Sequence, residues 1–106
     1  MSHAAPTQNL SPAELHALLR ANRIVLVDVR EPAEYAAERI DGAVLHPLSG
    51  FDPARLPPGQ VVFHCGSGKR SLTAIRHCAA AGLPHAAHLH GGIAAWKQAG
   101  LPTRRG

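Results

Sequence analysis

Two short runs, Ile24-Val25-Leu26-Val27-Asp28-Val29 and Val61-Val62-Phe63, restrict most strongly what this chain can fold into. Neither alternates apolar with polar residues. Each therefore reads as a strand covered on both faces, the condition of a parallel sheet between helices. Each is also followed by a helix-opening signal: Glu31-Pro32 after the first, with Tyr35 in the short helix, and the glycine loop Cys65-Gly66-Ser67-Gly68 after the second. Ser11-Pro12-Ala13-Glu14 is a capping box with proline at the first helical position, and Leu15, Leu18 and Leu19 carry one apolar face to about Arg20. Ala43–Leu45 reads as a short strand, and Ala86–Leu89 as a weak one. Pro53, Pro57, Pro58 and Gly59 mark a loop. A helix from about Arg70 turns Ile75 and Cys78 inward and stops at Gly82, a glycine just past its end. Gly91-Gly92 opens a last helix holding Ile93 and Trp96, which Gly100 and Pro102 end. Strands alternating with helices in short units predict an α/β domain with a mainly parallel sheet. Ligands of such sheets bind beyond the carboxyl ends of the strands, where Cys65 stands.

The 106 residues suffice for one hydrophobic core, so a single domain spanning 1–106 is expected, with its core over about 10–102. The strongly apolar stretch Ile24–Val27 is far short of the ~18 residues of a membrane span, so no membrane association is expected. The opening MSHAAPTQNL lacks the basic-then-apolar order of a secretory signal, and two cysteines build no disulfide framework. Both point to a reducing, cytoplasmic setting. Charge is segregated along the chain. All seven acidic residues lie between Glu14 and Asp52, whereas Pro53–Gly106 holds seven Lys and Arg and no acid. Such a field suits an anionic small substrate. Nucleic acid is disfavoured, because the basic residues form no run and no aromatic side chains are interleaved for base stacking.

The segment Cys65-Gly66-Ser67-Gly68-Lys69-Arg70-Ser71 joins a buried strand to a helix. Three influences there favour a thiolate: the partial positive charge of a helix N-terminus, the cations Lys69 and Arg70, and glycines that let successive amides converge on an anion. The result is a nucleophile facing an anion cradle. Tyrosine and dual-specificity phosphatases share the layout, but they place five residues between cysteine and arginine. Here four residues separate Cys65 from Arg70. A phosphate needs the wider ring, and the smaller one fits a single sulfur carried on the cysteine.

The chain resembles a single-domain rhodanese, of the thiosulfate sulfurtransferase-like family. The resemblance rests on Asp28-Val29-Arg30-Glu31 with Glu34-Tyr35, on Ile40-Asp41-Gly42-Ala43, on the loop Cys65–Ser71, on Ala81-Gly82, and on Leu89-His90-Gly91-Gly92 with Trp96. It implies a three-layer α/β/α rhodanese-like fold whose five parallel strands run in the order 3-2-4-5-1, with Cys65 after the fourth. It also implies a sulfurtransferase. Cys65 would take a sulfane sulfur from thiosulfate, a persulfide or a mercaptopyruvate-type donor, and pass it to cyanide or a thiol. The loop departs from many thiosulfate-using members in carrying neutral residues directly after Cys65. A phosphatase-like cysteine enzyme and a non-catalytic rhodanese-like binding module are the alternatives.

On this reading Cys65 is the nucleophile, and the amides from Gly66 through Ser67, Gly68, Lys69 and Arg70 to Ser71 hold the persulfide. Ser71 either gives its hydroxyl to the same sulfur or caps the helix. Arg70 either binds the donor's sulfonate or folds back onto Glu31 or Asp28. Lys69 is the free charge over the entrance. His90, beside the Cys65 strand in the family order, is expected at the rim of the pocket. Asp28 and Arg30 brace the loops, His64 is a buried strand end, and Cys78 and Trp96 are core. His85, His88 and His90 do not share one strand face, so no metal site is expected. The chemistry requires no cofactor. The partners are a small anionic sulfur donor and a thiol or cyanide acceptor, and the protein is a monomer or a homodimer.

Overall fold

The computed structural model describes residues 6–106. In chain order the elements are β1 (Gln8–Leu10), α1 (Pro12–Arg20), β2 (Val25–Asp28), α2 (Pro32–Ala37), β3 (Glu38–Arg39), β4 (Val44–Leu45), β5 (Val61–His64), α3 (Lys69–Ala80), β6 (Ala87–Leu89), α4 (Gly92–Gln98) and β7 (Arg104–Arg105), with short 3₁₀ turns at Leu48–Gly50 and Pro53–Arg55. The capping box read from sequence closes α1: Ser11 Oγ accepts from the Glu14 amide at 3.1 Å, and the Glu14 carboxylate accepts from the Ser11 amide at 2.9 Å.

Five parallel strands form the main sheet in the order β1-β6-β5-β2-β4. With only those five numbered along the chain, this is the order 3-2-4-5-1 read from its other edge, as the family resemblance implies. Strand alternation divides the core into two layers. Leu26 and Val62 face a cluster with Leu15 of α1 and Ile93 and Trp96 of α4. Val27, Val61 and Phe63 face Ala74, Ile75 and Cys78 of α3 on the opposite side. Both strands read from sequence as covered on both faces thus bury both faces, as a sheet between helices requires. Among the described residues no helix is long and apolar enough to cross a membrane.

A second, two-stranded sheet pairs β3 with β7 antiparallel, Glu38 opposite Arg105 and Arg39 opposite Arg104. Neither strand is legible in the sequence, since each has two charged residues and no apolar pattern. Glu38 accepts from Lys97 Nζ at 2.8 Å and from Thr103 Oγ1 at 2.6 Å. These bonds hold its carboxyl down to about 2. Arg104 reaches Asp41 at 3.1 Å and Arg105 reaches Glu38 at 3.5 Å. Folding therefore brings much of the segregated charge together: cations of the acid-free half find carboxylates of the first half.

Candidate active site

β5 ends at His64 in the middle of the sheet, and the chain leaves it through Cys65-Gly66-Ser67-Gly68 into α3. Gly68 caps the helix with φ +109°, a conformation that side chains rarely adopt. That turn aims two amides at the cysteine: the Gly68 N–H lies 3.0 Å from Cys65 Sγ and the Ser71 N–H 3.4 Å. Ser71 Oγ is 3.7 Å from the same sulfur. Of the amides expected from Gly66 to Ser71, these two reach Sγ. Cys65 itself is 1% exposed.

The opposite side of the loop is fixed by α4. The Ile93 amide donates to Cys65 O at 2.9 Å and the Ala94 amide to Gly66 O at 3.2 Å. Gly92 lies against this backbone so closely that a Cβ would stand 2.5 Å from Cys65 O and from the Gly66 carbonyl. The second glycine of Gly91-Gly92 therefore serves the cysteine loop as much as the helix it opens.

Two charged clusters brace the site. Asp28, at the end of β2, takes Arg30 Nε at 3.0 Å and Arg30 Nη2 at 2.8 Å, and it accepts the Arg30 amide at 2.9 Å. His64 Nε2 lies 3.3 Å from Asp28 Oδ2, outside hydrogen-bond geometry. Burial pushes the Asp28 carboxyl up, but His64 and Arg30 beside it outweigh burial and hold it well below the usual carboxylate range. Asp28 and Arg30 pair with each other, and Arg30 Nη2 also donates to Glu38 O at 2.7 Å. Arg70 corrects the sequence expectation. Its partner is Glu34, at 2.6 Å and 3.0 Å in a bidentate pair, and neither Glu31 nor Asp28. Glu31 instead accepts from Ser49 Oγ at 2.7 Å. Hydrogen bonds from Arg70 hold the Glu34 carboxyl down to about 2. The guanidinium also stands over Gly66, 3.1 Å from where a Cβ would be.

A recess of about 400 Å³ opens beside the loop, lined by Asn9, Ser67, Lys69, His88 and His90 among others. Lys69 and His90 are exposed there. Among the described residues no carboxylate lies within salt-bridge distance of Lys69. Cys78 is fully buried in the α3-side core, and burial pushes its thiol up. Trp96 is 1% exposed and donates its indole N–H to Pro102 O at 2.8 Å.

His88 and Asn9 were missed as site residues by sequence reasoning. His88 is 1% exposed, with Nδ1 2.7 Å from Ser71 Oγ and Nε2 2.8 Å from Asn9 Oδ1. Strand alternation carried the signal. Ala87 and Leu89 pack on the α1/α4 side, which turns His88 to the face where α3 begins. Asn9 gave no signal, because β1 has no apolar pattern.

An α/β/α sheet with a cysteine cradled by amides at the carboxyl end of its central strand defines a class of loop-cysteine domains. The chain belongs to the rhodanese-like domain family, whose family model matches residues 11–99. An uncharacterised protein of Synechocystis is 42% identical over 97 residues, covering 89% of this chain and 54% of that protein. A sulfurtransferase of Allochromatium vinosum is 38% identical over 82 residues, 74% of this chain and 77% of that protein. The crystal structure of thiosulfate sulfurtransferase from Pseudomonas aeruginosa matches with a TM-score of 0.78 at 29% identity, over 94% of this chain and 20% of that one. The chain thus spans about half the length of the Synechocystis relative and a fifth of the Pseudomonas chain.

Proposed function

We propose that this chain is a sulfurtransferase that carries sulfur as a Cys65 persulfide. The observation that carries the reading is the pair of amides, from Gly68 and Ser71, converging on Sγ in a loop with four residues between Cys65 and Arg70, one fewer than the phosphatase layout has. Cys65 thiolate attacks the outer sulfur of thiosulfate. The new S–S bond forms as the sulfur–sulfur bond of the donor breaks, and sulfite leaves with the electron pair. Cyanide or a thiolate then takes the outer sulfur and returns Cys65 as thiolate. Donors fixed before the reaction begins stabilise the anionic sulfur in both steps. Lys69 and His90, in the recess beside the loop, face the incoming anion. Arg70 is engaged by Glu34 and positions the loop. The same engagement weighs against a phosphatase, which needs that arginine on its substrate.

Incubation with thiosulfate followed by intact mass tests the reading. The expected gain is one sulfur on the wild type and on Cys78→Ala, and none on Cys65→Ser. Cys78→Ala removes a buried sulfur and is expected to cost about 1 kcal/mol or somewhat more in stability. Cys65-dependent hydrolysis of an aryl phosphate, without sulfur loading, would reverse the assignment.

A further inference from the structure

A buried cysteine that works as a thiolate needs a route for its proton. Cys65 is 1% exposed, and Ser71 Oγ, at 3.7 Å, is the one side-chain hydrogen-bond partner of its sulfur among the described residues. Ser71 is fully buried and touches His88 Nδ1 at 2.7 Å. Asn9 Oδ1, 2.8 Å from Nε2, is an acceptor only, so Nε2 carries the ring's hydrogen and a neutral ring leaves Nδ1 bare. Two acceptors stand within reach of the Ser71 hydroxyl, Gly68 O at 3.1 Å and the bare Nδ1 at 2.7 Å; the shorter contact has no other proton to hold it, so the hydroxyl donates to Nδ1 and its oxygen lone pair faces the thiol. This orientation differs from the sequence expectation of a serine hydroxyl donated to the sulfur.

We infer that Ser71, His88 and Asn9 form a proton relay for Cys65, with His88 as the base that takes and holds the proton and Asn9 fixing its ring. The inference deepens the sulfurtransferase reading and rests on it for its biological purpose. In the step, Ser71 Oγ takes the Sγ proton while its own proton passes to His88 Nδ1. The S–H bond and the original serine O–H bond break, a new O–H and an N–H form, and no oxidation state changes. The products are the Cys65 thiolate, an unchanged serine and an imidazolium whose Nε2–H remains on Asn9. The charged and titratable groups around the ring are Cys65 just past β5, reached through Ser71, Lys69 of α3 and His90 on its own strand, 6.5 Å away between ring centroids. No carboxylate bonds to the ring among the described residues. Burial, and then the neighbouring His90, push His88 down, which keeps Nδ1 free to accept while Cys65 is protonated. A thiolate one hydroxyl away supplies the counter-charge that the imidazolium otherwise lacks.

The test reads the thiol and not sulfur transfer. Cys65 alkylation by iodoacetamide is followed by mass against pH in the wild type, Ser71→Ala, His88→Leu and the double variant. His88→Leu is expected to slow alkylation roughly tenfold at neutral pH, the equivalent of one unit along the rate–pH curve. Ser71→Ala slows it similarly, and the double variant adds little, because one relay is broken once. Unchanged or faster alkylation in His88→Leu overturns the relay and restores a serine that simply donates to sulfur. Nitrogen-15 spectra of the His88 ring in the wild type give a second readout that needs no variant. The transfer is internal to the pair and takes up no proton from solvent, so at neutral pH, where Cys65 reacts, Nδ1 carries the proton in the wild type, and in Cys65→Ser it is bare there. An Nδ1 that remains bare while Cys65 reacts at full rate also overturns the relay. Failure of sulfur loading from thiosulfate, with the alkylation pattern as expected, rejects the sulfurtransferase reading alone.

Discussion

Replacing Gly92 by alanine measures how tightly α4 clamps the cysteine loop. The added Cβ would stand 2.5 Å from Cys65 O, Gly66 C and Gly66 O, whereas ordinary contact begins near 3.4 Å. The two backbones must part by nearly an ångström, and neither is a flexible side chain that can swing aside. Both are tied together by the Ile93–Cys65 and Ala94–Gly66 hydrogen bonds, at 2.9 and 3.2 Å. Overpacking of this kind costs ~1–3 kcal/mol. The left-handed φ of +63° adds ~1–2 kcal/mol for a residue with a side chain. The expected loss is therefore ~2–5 kcal/mol, a large share of the ~5–15 kcal/mol of a domain this size. Gly100→Ala is the control: its φ is +76° but nothing lies within 4 Å of its Cβ, so it carries the conformational cost alone, ~1–2 kcal/mol. Urea unfolding of both variants gives the difference, and iodoacetamide alkylation of Cys65 reports the loop. Gly92→Ala should be the less stable by ~1–3 kcal/mol and should also change the Cys65 rate. Equal stability of the two variants would refute the clamp.

Three further outcomes are expected. Asp28→Asn leaves Arg30 and His64 buried without their shared carboxylate and should cost about 3–5 kcal/mol by urea unfolding; a loss below ~1 kcal/mol would mean the cluster is better hydrated than its burial indicates. Glu34 sits at about 2 in the fold against 4.5 unperturbed, so its pair with Arg70 stabilises fully above 4.5 and is lost as pH falls toward 2. The two side chains are 37% and 39% exposed, so Glu34→Gln should cost ~1 kcal/mol or less near neutrality, and its gap to the wild type should close in acid; a gap independent of pH would show that the charge is not what matters. Lys69→Ala should raise KM for thiosulfate about fivefold with little change in kcat, the worth of ~1 kcal/mol for one charge at 4 Å in water. The effect should shrink with added salt, since screening acts over about 8 Å at 0.15 M. An equal loss with an uncharged donor would place the effect on Cys65 and not on the approaching anion.

The sequence alone determined the elements whose physics is local. The capping box at Ser11–Glu14, the doubly buried runs in β2 and β5, the glycine stops and the thiol at a strand end all depend on neighbours within a few residues. Hydrogen bonding, chain stiffness and apolar periodicity act at that range, so the class of fold and the cysteine at the end of the central strand were legible together. The strands β1, β3 and β7 were not, because each is held by partners remote in sequence: Gln8 by Ala87, and Glu38 by Arg105. The same reason hid the partner of Arg70. Glu31 and Glu34 are both carboxylates on one turn, and only the packing of α2 against the loop decides that Glu34 reaches the guanidinium while Glu31 reaches Ser49. The segregated charge followed suit, since Lys97, Arg104 and Arg105 find their carboxylates across more than fifty residues of chain. Tertiary structure alone joined Asn9, Ser71 and His88 in one hydrogen-bonded row behind Cys65. Hydrogen bonds select among side chains only after strand order and helix placement have brought them within about 3 Å, and no local pattern records that arrangement.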